Sequence, residues 1–143
     1  MEILNLDISD IDSISHLWQE LNLLHFHKTT HFKSHFENMT FETRKKALLA
    51  NEKLLILVVN NFSDIIGYLI ASVNNSMGEI DSLYIRPEFR KSGIGSSLTI
   101  KAIDWLNSQN CSQIKVAIAE GNEKVLDFYS KFGFHKRFYI MQK

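Results

Sequence analysis

The chain has one cysteine, one proline, no net charge and no long apolar run. Cys111 alone cannot form an intrachain disulfide, so the fold must hold without one, and its thiol fits a reducing cytoplasm. With Pro87 as the single proline and no Pro/Gly/Ser-rich tract, there is no sign of a linker. One domain spanning residues 1–143 is therefore expected. Sixteen basic residues balance sixteen acidic ones, which argues against a broad nucleic-acid surface. No apolar stretch reaches the roughly 18 residues a membrane span needs. The start, Met1-Glu2-Ile3-Leu4, lacks the basic region of a signal peptide, so neither membrane nor nucleic acid is an expected partner.

What is present is ordinary globular material, 45% hydrophobic and 22% charged, enough for a core without metal or disulfide. Glu2–Asp7 roughly alternates and reads as a strand. Ser9 or Asp10 caps a helix bearing Ile11, Ile14, Leu17, Trp18, Leu21 and Leu24 at helical spacing. The pattern weakens over His25–His35, and Phe36–Ala50 reads as a second helix. Lys53–Val59, Ile65–Val73 and Glu79–Ile85 read as three strands joined by turns. Gly93–Leu106 is an amphipathic helix, Ile114–Ala119 a strand, Asn122–Phe132 a helix closed by Gly133, and Phe134–Met141 a final strand. The order β-α-α-β-β-β-α-β-α-β predicts a mixed sheet flanked by helices. The crossover between Glu79–Ile85 and Ile114–Ala119 makes those two strands parallel.

The segment from Leu83 to Leu98 carries the most chemistry. A strand ends, a loop presents Arg90, Lys91 and Ser92, and a helix opens at Gly93-Ile94-Gly95-Ser96. Glycines there let backbone N–H groups approach an anion. The unpaired donors and partial positive charge of the helix start suit a pyrophosphate. Two glycines alone serve a tight strand-to-helix turn equally well. The P-loop pattern GxxxxGK[ST] is absent, and Leu98 stands where GxGxxG needs its third glycine.

Arg90-x-x-Gly93-x-Gly95 resembles the acetyl-CoA signature R/Q-x-x-G-x-G/A of the GNAT N-acetyltransferase superfamily. Asn122-Glu123-Lys124-Val125-Leu126-Asp127-Phe128-Tyr129-Ser130-Lys131-Phe132-Gly133-Phe134 resembles that family's N-x-x-A-x-x-x-Y-x-x-x-G-F block, with Val125 in place of alanine. The resemblance runs from Gly67 to the C-terminus. It implies an α/β (α+β) fold with a mixed, mostly antiparallel sheet of six to seven strands and about four helices. It further implies acetyl-CoA as co-substrate and direct acetyl transfer to a primary amine. By the same resemblance, Leu83, Tyr84 and Ile85 pair with the pantetheine arm, and the loop from Arg90 to Ser96 takes the pyrophosphate. Asn122 touches pantetheine and caps its helix. Tyr129 is the general acid toward the sulfur. A splay between the strands at Glu79–Ile85 and Ile114–Ala119 admits the cofactor.

Glu79 resembles the position of a base in several members, with Asp81 as substitute. Period 2 would put Glu79, Asp81, Leu83 and Ile85 on one face. An exposed strand-edge charge is the plainer reading of Glu79. His31 and His35 at i, i+4 raise a metal reading, but cysteine and HExxH are absent nearby, so no metal is expected. His25, Phe26 and His27 fall where the family lines its acceptor pocket; a solvated loop would read the same. A small-molecule amine is the expected acceptor. A peptide N-terminus or lysine, and a non-catalytic CoA-binding module, are the alternatives. Phe138-Tyr139-Ile140-Met141 is a possible homodimer surface.

Overall fold

The computed structural model describes all 143 residues, Met1–Lys143. Strand β1 (Glu2–Asn5) leads through a 3-10 turn (Ile8–Ile14) into helix α1 (Ser15–Lys28). Helices α2 (Lys33–Asn38) and α3 (Phe41–Leu49) follow. Strands β2 (Lys53–Asn61), β3 (Asp64–Asn74) and β4 (Met77–Ile85) come next. Helix α4 (Ile94–Ser108), strand β5 (Gln113–Val116) and helix α5 (Val125–Ser130) complete the order. The sheet runs β1-β2-β3-β4-β5, antiparallel except for the parallel β4–β5 pair, as the crossover requires.

The apolar run of β2 is explained by its two buried faces. Leu55, Leu57 and Val59 join the core beneath α4, with Leu98, Ala102 and Leu106. Ile56 and Val58 join the core beneath α1 and α3, with Leu17, Trp18, Phe41 and Leu48. The β3–β4 hairpin turns on Asn75 and Ser76, both at positive φ (52° and 62°), the geometry of a two-residue turn that follows the sheet's twist. No helix is long and apolar enough to cross a membrane.

Beyond the shorter β5 and α5, which the sequence reading places at Ile114–Ala119 and Asn122–Phe132, three elements differ from that reading. The helix expected from Ser9 to Leu24 is a 3-10 turn followed by α1, because Asp7 caps the turn through Ser9 while no side chain caps α1. The helix expected over Phe36–Ala50 is two, because Thr40 leaves the helix and its side chain accepts from Thr43 N–H to start α3. The expected last strand is not a strand. Phe134 is tied back by its N–H to the Tyr129 carbonyl (3.3 Å), and beyond it Phe138, Tyr139, Ile140 and Met141 are exposed without a ladder partner. The sheet therefore has five strands, not six or seven.

Candidate active site

The site is built where β4 loses its neighbour. Strand β5 pairs with β4 only from Met77↔Gln113 to Ile80↔Val116. Beyond Ile80, β4 still pairs with β3, through Leu69↔Leu83, Tyr68↔Tyr84 and Gly67↔Ile85. Its other edge has no strand along Asp81–Ile85. This is the splay expected between these strands, and it leaves an unpaired backbone edge at Leu83 and Ile85 for an extended ligand, with the Ile85 carbonyl already taken by Arg90 and Tyr84 facing the β3 ladder.

The break coincides with a bulge. Ile80 pairs with Ala71 and Ser82 with Ile70, which leaves Asp81 as the extra residue. A bulge resets the alternation, so the expected shared face of Glu79, Asp81, Leu83 and Ile85 does not form. Ile80, Leu83 and Ile85 pack toward α4. Tyr84 joins the opposite core, and Ser82 bonds the Tyr68 hydroxyl at 2.8 Å. Asp81 is held by Arg44, which donates to its carbonyl oxygen at 3.3 Å. Its Oδ2 is buried with no partner. Burial pushes the Asp81 carboxyl up to about 6, with the Glu79 charge adding to the rise and Ser72, Arg44 and Lys115 opposing it. Glu79 instead lies beside Lys115 across the parallel ladder, at 3.9 Å and partly exposed.

Below β4 the chain forms a short 3-10 turn at Pro87–Phe89 and enters α4 through Gly93 at φ 83°. An added Cβ at Gly93 would meet nothing within 4 Å, so the left-handed backbone, not crowding, calls for glycine there. At Gly95 a Cβ would lie 3.4 Å from Ile85 Cδ1 and 3.6 Å from the Phe128 ring, so this glycine also sets how closely α4 packs on β4 and α5. The first helical bond runs from Ser97 N–H to the Gly93 carbonyl at 3.0 Å. It leaves the N–H groups of Ile94, Gly95 and Ser96 without helical acceptors, the donor array an anion needs. Lys91 sits at positive φ (64°), and Ser92 Oγ donates to the Phe89 carbonyl at 2.7 Å. Arg90 is partly committed already: its Nε donates to the Ile85 carbonyl at 2.7 Å and its guanidinium lies over the Tyr84 ring.

Tyr129 comes from α5, among Phe128 and Phe134, and is 7% exposed. Burial alone pushes its hydroxyl up to about 12, so it stays protonated and able to donate at neutral pH. Asn122 lies three residues before α5, which starts later than expected. Its carbonyl accepts from Val125 N–H at 3.2 Å, so it opens the turn into the helix without a side-chain cap.

Two parts of this site had no signal in the sequence. Glu20 of α1 accepts from the Tyr84 hydroxyl at 3.1 Å and stands 3.6 Å from Arg86, a link across more than sixty residues. Arg44 reaches Asp81 from α3. Among the histidines, His31 lies before α2 and His35 within it, so the i, i+4 geometry of one helix does not arise. His25 stacks on Phe36, His27 is exposed, and Phe26 walls a groove of about 520 Å³ with Trp18, Asn22, Phe36 and Phe41.

The profile of the Acetyltransferase (GNAT) family matches residues 15–134, which includes α1, the β4 splay, the Gly93 turn and Tyr129. The chain belongs to the GNAT family of acetyltransferases. Bovine thialysine N-epsilon-acetyltransferase is 32% identical over 54 residues, which are 38% of this chain and 32% of that protein. The matched segment thus spans about a third of the length of the curated relatives. Among solved structures, a putative acetyl transferase from Pyrococcus furiosus superposes with a TM-score of 0.77 at 22% identity, covering 99% of both chains. The PaiA N-acetyltransferase of Thermoplasma acidophilum, in complex with coenzyme A, superposes with a TM-score of 0.70 at 19% identity, covering 94% of this chain and 89% of that one. At these identities the superpositions establish the GNAT fold.

Proposed function

We propose that this chain is an N-acetyltransferase that moves an acetyl group from acetyl-CoA to the primary amine of a small molecule. The observation that carries this reading is the unpaired edge of β4 from Asp81 to Ile85, leading directly to the free N–H groups at the start of α4. An extended pantetheine arm suits the first, through the backbone of Leu83 and Ile85. A pyrophosphate suits the second, through Gly93, Ile94, Gly95 and Ser96, with Lys91, Ser92 and the free guanidinium nitrogens of Arg90 around it. Asn122 lies beside the arm, and Tyr129 faces the sulfur.

In this reading Asp81, not Glu79, accepts the proton of the incoming ammonium group. Asp81 is at the splay, half-buried, with a buried and unpartnered Oδ2, whereas Glu79 is engaged by Lys115. The freed amine nitrogen forms a bond to the thioester carbonyl carbon, the C–S bond breaks, Tyr129 gives its proton to the departing thiolate, and the surplus proton on the new amide nitrogen restores the Tyr129 hydroxyl. Backbone donors near the bulge stabilise the oxyanion. The thialysine and CoA named for the relatives support a small amine acceptor and a CoA donor. The lone Cys111 supports a reducing cytoplasm as the working compartment, and the exposed Phe138–Met141 segment supports pairing of two copies.

Calorimetry with acetyl-CoA tests the reading, wild type beside Gly93→Glu. The space around Gly93 admits the side chain, so the variant folds, at the cost of a strained φ. Wild-type binding of about −8 kcal/mol, lost in the variant and followed by thiol release on an amine panel, supports the enzyme. Binding without turnover of any amine supports a CoA-binding module instead.

A further inference from the structure

The site has a lock between its two halves, in which the β5–α5 loop grips the turn between α1 and α2. Glu120 lies two residues before Asn122, and its carboxylate reaches across ninety residues of sequence. The Thr29 hydroxyl donates to its Oε1 at 2.6 Å. Thr30 N–H lies 3.0 and 3.1 Å from its two oxygens, and His31 N–H lies 3.4 Å from Oε1. Thr29 Oγ1 in turn accepts from Phe32 N–H at 3.1 Å, so one carboxylate organises the whole turn. Thr29 is only 3% exposed although both its neighbours are exposed. Next to Glu120, Gly121 (φ 97°) approaches so closely that an added Cβ would lie 2.4 Å from the Lys28 carbonyl oxygen. These contacts hold the Glu120 pK below the ordinary carboxylate range, chiefly through the Thr29 hydroxyl and the Thr30 N–H, so the carboxylate is ionised at neutral pH.

We infer that Glu120 is a positioning residue that clamps the acceptor half, α1 and α2, onto the cofactor half at the mouth of the β4–β5 splay. The inference rests on the acetyltransferase reading of the site. Loop β5–α5 carries Asn122 on the cofactor side, whereas the turn it grips follows directly on the last turn of α1, which carries His25, Phe26 and His27, and Thr29 N–H donates to the His25 carbonyl at 2.9 Å. Glu20, on the same helix, holds Tyr84 and Arg86. A shift of α1 therefore moves acceptor-side groups relative to the thioester without touching the pyrophosphate donors at Gly93–Ser96. Errors of about 1 Å in such placement are enough to cost catalysis. A clamp of this kind predicts a defect in acceptor handling that spares CoA.

The test uses the full chain with acetyl-CoA and thialysine as the probe acceptor, in wild type, Glu120→Ala, Glu120→Gln, Thr29→Val and the Glu120→Ala/Thr29→Val double variant. Glu120→Ala should raise the thialysine KM roughly tenfold with the calorimetric acetyl-CoA affinity unchanged. Glu120→Gln keeps a carbonyl oxygen for Thr29 and Thr30 and should recover most of that loss. The double variant should lose less than the sum of the two single losses, since both remove the Thr29–Glu120 hydrogen bond. Hydrogen exchange at Thr30, His31 and Phe32 should speed up in Glu120→Ala while the β2–β3 amides stay protected. Unchanged exchange at those three amides would overturn the clamp whatever the acceptor. Faster exchange with an unchanged KM, or a parallel loss of acetyl-CoA affinity, would overturn its positioning role. A wild type that binds acetyl-CoA but turns over no amine would count against the enzyme reading, and the exchange measurement would still decide whether the clamp exists.

Discussion

The two halves of β4 have the same backbone and different neighbours. From Met77 to Ile80 the strand has β3 on one side and β5 on the other, and its residues are scaffold. Gly78 packs under Leu106 and Cys111, and Glu79 pairs with Lys115. From Asp81 to Ile85 the strand keeps β3 and loses β5. The bulge at Asp81 marks the boundary and turns the following side chains over. One inserted residue thus does three things: it ends a parallel ladder, frees a strand edge for a ligand, and leaves a carboxylate half-buried without a full set of partners. The contrast predicts that substitutions before the bulge change stability and those at or beyond it change chemistry.

The largest effect should come from Asp81→Asn. Loss of the proton acceptor should lower kcat/KM by about 100-fold. In wild type, kcat/KM should rise with pH through an apparent pKa near the Asp81 value of about 6, and the variant should lack that limb. Stability should move the opposite way. The folded pKa lies above the ordinary 3.8, so the stabilising contribution of the protonated carboxyl is complete below about 4 and is lost as pH rises through about 6. Asn, which never ionises, should make the fold more stable at pH 8, by up to about 3 kcal/mol, seen as a raised urea midpoint. A variant that is less active and also less stable at pH 8 would place Asp81 with the scaffold and break the contrast at its boundary.

Tyr129→Phe should lower kcat about tenfold with little change in acetyl-CoA affinity, because the ring remains against Phe128 and Phe134 and only the proton donor goes. A loss confined to acetyl-CoA affinity would assign the hydroxyl to binding. On the scaffold side, Gly78→Ala puts a Cβ 2.9 Å from Leu106 Cδ2 and 3.0 Å from Cys111 Sγ. Both neighbours are side chains that can yield, so a stability loss of about 1–2 kcal/mol is expected in chemical denaturation, with acetyl-CoA affinity intact.

Much of the proposed cofactor half is legible in the sequence because the features proposed to meet CoA are local. Arg90, Gly93 and Gly95 fall within six residues, and Asn122 and Tyr129 within eight, so short spacings carry the geometry. The splay was anticipated only through family resemblance, and the bulge was not, because a bulge is a property of two paired strands and β4 alone reads as simple alternation. The acceptor half was less legible for a related reason. Its polar links join distant residues: Glu20 to Tyr84, Arg44 to Asp81, Glu120 to Thr29. No periodicity announces a contact of that range. The final strand was misread because Phe138–Met141 has strand composition, and composition does not supply a partner.

Glu79→Gln gives the smallest expected effect and the sharpest use of the contrast. The carboxylate is the leading candidate base by sequence position, and it lies only two residues before Asp81, on the other side of the bulge. Its neighbour Lys115 is largely exposed and stands at 3.9 Å, so the pair contributes little to stability, at most about 0.5 kcal/mol. If chemistry begins at the bulge, Glu79→Gln should leave kcat/KM within about threefold of wild type. Removing its negative charge also removes one influence that raises the Asp81 pKa, so the acid limb of the pH profile should shift slightly downward, with its shape kept. A loss of activity as large as that of Asp81→Asn, with the limb abolished, would return the role of base to Glu79. The functional boundary of β4 would then lie two residues earlier, inside the paired ladder.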